Sequence, residues 1–223
     1  MATTPSLEAM TCYDIHTHHP AADTPDCLAI LNIIIGRDEE TPASNQWHSV
    51  GIHPWYIYNG IDLDRQLTRV EQAAKHPGVV AIGEAGLDHM ADTPPALQEE
   101  TFIRQAALAE QLGKPLIIHC VKAWDELIQN KKTIRPHVPW VIHGFRGNGL
   151  LAEQLLRQDF FLSFGEHFNP QALQAAWPGK LFAETDESPI GIRAVYAQLA
   201  MALNQSPEAF ATTLESNVHG VFL

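Results

Sequence analysis

Six short motifs place histidines and carboxylates where apolar segments of the chain end. They are DIHTH with His16 and His18, GIHPW with His53, GEAGLD with Glu84, LIIH with His119, VIHGF with His143, and ETDESP with Asp186. Imidazole nitrogens and carboxylate oxygens are ligands for divalent metals. Each side chain alone has a plainer explanation, such as a histidine bonded to backbone or a carboxylate that caps a helix. Brought together, four of these histidines and the two carboxylates could hold two ions, and an acid between the ions could bridge them.

Local geometry supports a metal site in the first and third motifs. Side chains of a strand alternate, so Asp14, His16 and His18 are predicted to share one face, with Ile15 on the other. Two histidines two residues apart can reach one metal, and Asp14 could orient one of them. Glu84 stands between two glycines, which leave room for close approach to a ligand.

The elements that must position these residues alternate along the chain. Nearly apolar runs predict eight buried parallel strands, over 12–17, 28–35, 48–53, 79–83, 115–119, 140–143, 160–164 and 181–184. Helical patterns follow over 63–75, 95–112, 150–157, 170–176, 193–203 and 207–215, and Gly113 is a stop signal. This alternation predicts one domain over residues 1–223, an α/β TIM-type (β/α)8 barrel.

The first repeats of the predicted barrel are reduced. About ten residues separate the first two strands, and the linker 36–47 is polar. We therefore expect an irregular barrel that lacks a helix there. Every motif above falls at the carboxyl edge of the strands, where the active sites of such barrels form.

Composition limits the classes of partner. The 223 residues carry 14 Lys and Arg against 26 Asp and Glu, a net charge of -12, so a general electrostatic footprint for duplex nucleic acid is not expected. Three cysteines without paired spacing favour a reducing compartment. The N-terminus lacks the pattern of a signal peptide, and no apolar run reaches the roughly 20 residues of a membrane span. We expect a cytoplasmic protein without a membrane partner or an obligate protein partner.

The order and spacing of the motifs resembles the TatD family of metal-dependent hydrolases, within the amidohydrolase-like barrels. The resemblance covers nearly the whole chain, through DIHTH, GIHPW, GEAGLD, QEETFIRQAALAEQLGKPLIIH, VIHGFRG, ETDESP and SNVHGVF. It implies that metal is bound by six residues, with Glu84 bridging: His16, His18, Glu84, His119, His143 and Asp186. It also implies that His53 contacts substrate. Family members are associated with DNase activity, commonly from 3′ ends, and some with deacylation of D-aminoacyl-tRNA.

The chain departs from the family pattern at the rim of the predicted site. The loop after Asp186 is short, and His89 follows GLD where the family often has an aromatic residue. Val121 stands where an arginine is often found, with Lys122 beside it. Arg146 lies on a glycine-rich turn after His143, so Lys122 and Arg146 are the candidate phosphate contacts.

The leading hypothesis is hydrolysis of DNA ends or single strands by a metal-activated water. Asp186, His53 and Glu84 are its candidate catalytic residues: Asp186 could accept the water proton, and His53 could hold a non-bridging oxygen or protonate the leaving group. The alternative is hydrolysis of a small amide or ester, or of an aminoacyl-tRNA. A non-catalytic metal-binding protein would require a lost ligand, and none is lost. The two ions could be zinc, magnesium or manganese.

Aromatic side chains surround the third predicted strand. They are Trp47, Trp55, Tyr56 and Tyr58. They could pack in the core or rim, or they could stack on a base or ring at the mouth of the pocket.

Overall fold

Eight parallel strands form the core of the structure, a computed structural model that describes residues 10–19, 26–39 and 41–223. The strands are β1 (Cys12–Thr17), β2 (Cys27–Ile34), β3 (Trp47–Gly51), β4 (Val79–Asp88), β5 (Leu116–Val121), β6 (Trp140–Ile142), β7 (Phe160–Phe164) and β8 (Leu181–Ala183). Each strand pairs with the next in chain order. Beyond β8, the amide of Asp186 donates to the carbonyl of His16 at 2.9 Å, and the amide of His18 donates to the carbonyl of Asp186 at 3.2 Å. The sheet thus nearly closes, and the predicted TIM-type barrel is confirmed.

Seven helices alternate with the later strands in the part of the chain that the structure describes. They are α1 (Ile61–Ala74), α2 (Pro95–Leu112), α3 (Trp124–Ile134), α4 (Gly149–Arg157), α5 (Pro170–Ala176), α6 (Ile192–Ala202) and α7 (Pro207–Phe222). Gly113 ends α2 in the left-handed conformation, with φ of 63°, as its sequence predicts. The sequence did not predict α3. That helix buries only Leu127, Ile128 and Asn130, which is too narrow an apolar face for a clear helical period.

The beginning of the barrel is irregular, as expected. Between β1 and β3, residues 18–19, 26, 35–39 and 41–46 contain no helix. The first helical turn after β3 is a short 3-10 turn at Pro54–Tyr56, and α1 follows it. None of the described helices is long and apolar enough to cross a membrane. Residues 1–9, on which the expectation of no signal peptide rests, lie outside the described residues.

Register shifts in β1 and β4 set which side chains enter the barrel. An apolar cluster inside the barrel joins side chains from opposite strands, including Ile15 of β1 and Ile117 of β5. The pairing of β1 with β2 shifts between Asp14 and Thr17. His16 therefore turns toward the polar end of the barrel, where the candidate site residues lie, although its neighbour Ile15 is in the internal apolar cluster. The strict alternation predicted for this segment therefore does not hold across the bulge.

A second shift, between β4 and β5, acts in the same way on Glu84. Ile82 pairs with Leu116, but Ala85 pairs with Ile118, which leaves one extra residue in β4. A bulge of this kind re-aims a side chain. β4 also continues beyond its predicted end at Gly83 to Asp88, so Glu84 lies within the strand rather than after it.

A close approach of β4 to β5 yields a prediction about Gly86. This residue pairs with His119, and a Cβ added to it would overlap the carbonyl oxygen of His119. We expect Gly86→Ala to lower the free energy of unfolding by about 1–3 kcal/mol or more, because the backbones must separate. Gly220→Ala in α7 is the matched control. A Cβ there meets no atom within 4 Å, so this variant should be neutral or more stable by up to about 1 kcal/mol. Urea unfolding followed by circular dichroism measures both; equal stability of Gly86→Ala and wild type would contradict the close approach.

Candidate metal centre

The buried carboxylate of Glu84 lies at the centre of the polar end of the barrel. Its Oε1 is 2.7 Å from Nε2 of His143 and 3.0 Å from Nδ1 of His119. Its Oε2 is 3.5 Å from Nε2 of both His16 and His18. The two oxygens of one carboxylate therefore face two separate groups of imidazoles, and His53 also lies beside Oε1.

Asn32 of β2 holds Glu84 in this position. Its amide nitrogen donates to Oε2 of Glu84 at 3.2 Å, and its amide oxygen accepts from the backbone amide of Glu84 at 3.0 Å. The hydroxyl of Ser49 donates to the same amide oxygen at 2.9 Å. Asn32 was not among the predicted site residues. The available signal was a single polar residue in the apolar strand CLAILNII.

The charge of Glu84 is decided by its neighbours. Burial by itself would raise the pKa of this carboxyl, but the charge of His143 and a hydrogen bond from His119 lower it well below the usual value. Glu84 is therefore ionised in the folded protein. A negative charge buried to this degree needs positive partners close by.

Asp186 completes the first group of donor atoms. Its Oδ1 lies 3.7 Å from Nε2 of His16 and 3.6 Å from Nε2 of His18. His16 is fully buried, and neither of its ring nitrogens has a hydrogen-bond partner among the described residues. Sets drawn from His16, His18, Glu84, His143 and Asp186 place three donor atoms within 4.8 Å of one another, so they could hold a metal ion.

His119 is oriented by the buried carboxylate of Asp88. Oδ2 of Asp88 lies 3.1 Å from Nε2 of His119 and accepts from the indole N–H of Trp55 at 2.7 Å. Burial would raise the pKa of Asp88, but hydrogen bonds from the Met90 amide, Trp55 and His119 lower it. An imidazole whose Nε2–H is held by a carboxylate presents Nδ1 as a metal ligand. Asp88 was part of the GEAGLD motif but was not predicted to act.

Glu184 has the corresponding place beside His143. Its Oε1 lies 3.4 Å from Nδ1 of His143 and accepts from the amide of Gly144 at 2.5 Å. Burial would lower the pKa of His143, but the carboxylates of Glu84 and Glu184 raise it well above the usual value. Glu184 was also not predicted to act, although it lies two residues before Asp186 in ETDESP.

His53 is a neutral imidazole at the edge of this group. Its Nδ1 accepts from the backbone amide of Trp55 at 3.1 Å, so the hydrogen of the neutral ring is on Nε2. That nitrogen lies 3.4 Å from Oε1 of Glu84. Burial lowers the pKa of His53 to about 3. His53 thus offers an N–H donor toward the centre of the site.

Arg37 also contacts the site from the linker between β2 and β3. Its Nη2 lies 3.0 Å from Nδ1 of His18, and because arginine only donates, Nδ1 of His18 must accept. Asp38 holds the guanidinium through both carboxylate oxygens, at 2.8 and 3.2 Å. The polar composition of this linker gave no sign that one of its residues returns to the site.

Comparison with known proteins identifies the family. Residues 37–223 match the family model described as TatD related DNase. The match covers well over half of the chain. The chain belongs to the TatD family.

Three curated relatives match parts of this TatD-family chain. The chain is 34% identical over 114 residues to the uncharacterized metal-dependent hydrolase YabD of Bacillus subtilis, covering 50% of this chain and 45% of that one. It is 36% identical over 150 residues to the 3′-5′ ssDNA/RNA exonuclease TatD of Yersinia pseudotuberculosis, covering 59% and 55%. It is 38% identical over 115 residues to the human 3′-5′ RNA nuclease TATDN2, covering 50% and 15%. The chain thus spans about half the length of the two bacterial relatives and much less of the human one.

Two solved structures share the fold. A crystal structure of YJJV, a TatD homolog from Escherichia coli K12, has a TM-score of 0.80 at 21% identity, covering 95% of this chain and 97% of that one. A hydrolase of the TatD family from Entamoeba histolytica has a TM-score of 0.76 at 15% identity, covering 96% and 99%. At these identities the likeness supports the barrel and not a substrate.

The rim of the TatD-family centre carries charges of both signs. A cleft of about 260 Å³ opens beside Asp186 and is lined by Arg146, Glu166 and Glu187, among others. Arg146 therefore lies next to the centre, and its contact with a phosphate stays a prediction. Lys122 is exposed, and its ammonium lies 3.4 Å from Sδ of Met90. The structure thus brings His53 and the six candidate ligands together, and only Arg146 of the two predicted basic residues borders the cleft.

Asp14 lies outside the group of ligands and gives a pH prediction. It accepts from the hydroxyl and amide of Thr185, at 2.6 and 3.1 Å, and burial raises its pKa to about 7. The folded protein keeps this proton up to about pH 7, whereas the unfolded chain releases it near the ordinary aspartate pKa of 3.8. The stability from this group is therefore complete below about pH 4 and is lost as pH rises to 7.

We expect Asp14→Asn to remove this pH dependence in metal-free protein. Asparagine keeps an oxygen for the Thr185 amide, and the threonine hydroxyl can rotate to accept. The unfolding free energy of wild type minus that of Asp14→Asn should fall by about 4 kcal/mol between pH 4 and 8. Denaturant unfolding of both proteins across this pH range measures the difference. The ionisation of other groups is common to both proteins and cancels. A difference that stays constant with pH would contradict the raised pKa.

Proposed function

We propose that this chain is a metal-dependent phosphodiesterase that acts on DNA ends or single strands. Two divalent ions, zinc, magnesium or manganese, would be held by six residues with Glu84 as the bridge: His16, His18, Glu84, His119, His143 and Asp186. The observation that carries the proposal is the division of imidazoles between the two oxygens of Glu84. A carboxylate with this arrangement suits two neighbouring cations rather than one.

Distances in the first group fit ligands of one ion better than hydrogen bonds. The four separations between the His16 and His18 Nε2 atoms and the oxygens of Glu84 and Asp186 are 3.5, 3.5, 3.6 and 3.7 Å. Ligand atoms at about 2.0–2.2 Å from a tetrahedral ion lie about 3.3–3.6 Å apart. The buried nitrogens of His16 that lack hydrogen-bond partners among the described residues also agree with this role.

The second group lies at hydrogen-bond distance from Glu84. Nε2 of His143 and Nδ1 of His119 are 2.7 and 3.0 Å from Oε1. A cation bound there would displace any proton between these nitrogens and the carboxylate, because metal binding releases protons from its ligands. The carboxylates of Asp88 and Glu184 lie on the far side of the two rings and would orient them for metal.

The chain supplies two groups for the chemistry besides its ligands. Divalent ions at this centre would polarise phosphoryl oxygens and lower the pKa of water. Asp186, partly exposed beside the cleft, is placed to accept a proton from water. His53 would donate its Nε2–H to a non-bridging oxygen, because a neutral ring with a pKa of about 3 is suited to donation rather than to acting as an imidazolium acid.

Substrate choice follows from the few basic groups at the rim. With a net charge of -12, the chain can neutralise few phosphates. Arg146 borders the cleft and Arg37 contacts His18, and the exposed Lys122 is a further predicted phosphate contact. Single strands and frayed ends fit this limit better than duplex interiors. The nuclease names of the Yersinia and human relatives support the same substrate class.

A second candidate is hydrolysis of a small amide or ester, or of an aminoacyl-tRNA. The cleft beside Asp186 favours it, because Glu166 and Glu187 on the cleft wall repel a polyanion. The same ligands would serve an acyl substrate, whose carbonyl oxygen carries less charge than a phosphodiester.

Hydrolysis by stripped protein with each metal restored tests these candidates. We expect cleavage of short single-stranded DNA, and up to two bound ions per chain by metal analysis. Glu84→Gln should lower the metal content and abolish turnover, because one negative charge is lost from both ion positions. Glu166→Gln is the matched control, since it removes a cleft carboxylate outside the centre and should keep the full metal content. Fewer than one bound ion per chain in wild type and in both variants would refute the metal centre. Cleavage of acyl substrates without cleavage of DNA would establish the second candidate.

His53→Ala separates a substrate contact from a metal ligand. We expect this variant to keep its metal content and to lose about 10²-fold in kcat, as is typical for a lost proton-transfer or oxyanion-binding group. Metal analysis and steady-state kinetics on a single-stranded oligonucleotide measure the two effects. A loss of metal in His53→Ala would instead make His53 a ligand, in the group that it forms with Glu84 and His119.

A further inference from the structure

Trp55 presents an exposed and fixed aromatic face at the rim of the metal centre. We propose that Trp55 is the stacking surface for the nucleobase next to the scissile phosphate. This inference rests on the proposed phosphodiesterase function and assigns it a base-binding subsite.

The exposure of Trp55 is unusual within this chain. Its side chain is 60% exposed, whereas Trp140 is fully buried and the remaining three tryptophans are half-buried. Packing in the core, which is the plainer explanation of the aromatic cluster, therefore does not apply to this residue. An indole face left in water is costly, and a ligand that covers it gains binding free energy.

Two contacts hold the exposed indole in one orientation. Its N–H donates to Oδ2 of Asp88 at 2.7 Å, and Asp88 is only 1% exposed. Its ring meets the ring of His53 edge-on, with centroids 5.5 Å apart and planes at 86°. The backbone amide of Trp55 also donates to Nδ1 of His53. A side chain fixed before binding loses little conformational entropy when a ligand stacks on it.

The same contacts tie Trp55 to the centre. Asp88 joins the indole to His119, whose Nε2 lies 3.1 Å away, and His53 points its other nitrogen at Glu84. A phosphate at the centre therefore has its own sugar and base within reach of the indole. Met90 adds a second exposed apolar side chain, 63% exposed, whose amide is held by Oδ1 of the same Asp88.

A nucleobase is the occupant that the charges favour. The chain has few basic groups for phosphates, so affinity for a strand must come from elsewhere than ion pairs. Stacking on an aromatic side chain supplies such affinity for any base, because every base has a π-face. The arrangement predicts recognition of the base as a flat ring, without preference for its identity.

Strands that lack one base test the subsite. We would compare short single-stranded oligonucleotides with an intact or an abasic nucleotide on either side of the cleaved bond. For wild type with its metals, the abasic strand should have a KM about tenfold higher, which is about 1.4 kcal/mol of binding free energy. Trp55→Ala should raise KM for the intact strand to the abasic value with kcat changed less than about threefold. Trp55→Phe should recover most of the loss, because it keeps a ring.

Met201→Ala on α6 is the control for loss of an exposed apolar side chain, since Met201 is 75% exposed and should leave both constants unchanged. Equal KM values for intact and abasic strands in wild type would overturn the stacking role while leaving the phosphodiesterase proposal in place.

A binding measurement distinguishes failure of the base-binding subsite from failure of the phosphodiesterase proposal. Fluorescence anisotropy of labelled strands on Glu84→Gln protein, with and without Trp55→Ala, should show the same base-dependent loss even if no strand is cleaved. Binding that is equal for intact and abasic strands would overturn the subsite by itself.

Discussion

A carboxylate buried inside a barrel is costly unless positive charge surrounds it, and the polar end of this protein is arranged around that constraint. Glu84 is ionised, 3% exposed and enclosed by imidazoles from β1, β5 and the turn after β6. Asn32 fixes the direction of its two oxygens. Around it, further carboxylates lie beside the outer nitrogens of His119 and His143, so the charges continue outward in layers. Such an arrangement favours cations at the centre and keeps the histidines in fixed orientations.

Backbone irregularities in two strands make this arrangement possible. A regular barrel would send alternate residues of β1 and β4 inward, and the apolar interior already takes Ile15 and Ala81. The extra residues at the two register shifts let His16 and Glu84 enter the interior above that apolar layer. Gly86 then allows β4 and β5 to approach closely enough for Glu84 and His119 to meet. The apolar layer supports the fold below, and the bulges supply the polar layer above it.

The rim differs in character from the centre. The centre is rich in fixed charges, but the cleft beside Asp186 carries acids as well as Arg146, which gives weak general attraction for nucleic acid. Recognition of the proposed nucleic-acid substrate would therefore depend on a few specific contacts. Asp88 connects the two regions, because one buried carboxylate orients His119 at the centre and Trp55 at the rim. A change at Asp88 would consequently affect the centre and the rim together.

Local signals in the sequence were enough to predict the barrel and the candidate residues at its edge. Apolar runs and helical periods located eight strands and six of the seven helices that the structure describes, because those signals are local. The motifs at strand ends must then meet at one edge of a parallel barrel. Only the tertiary structure showed that Asn32, Asp88 and Glu184 position the central groups, and that Arg37 returns from a linker to touch His18. These contacts join residues from different elements, and nothing in the local sequence fixes which strand lies opposite. The bulges were hidden for the same reason: an extra residue in a strand is visible only when its neighbour is paired with it.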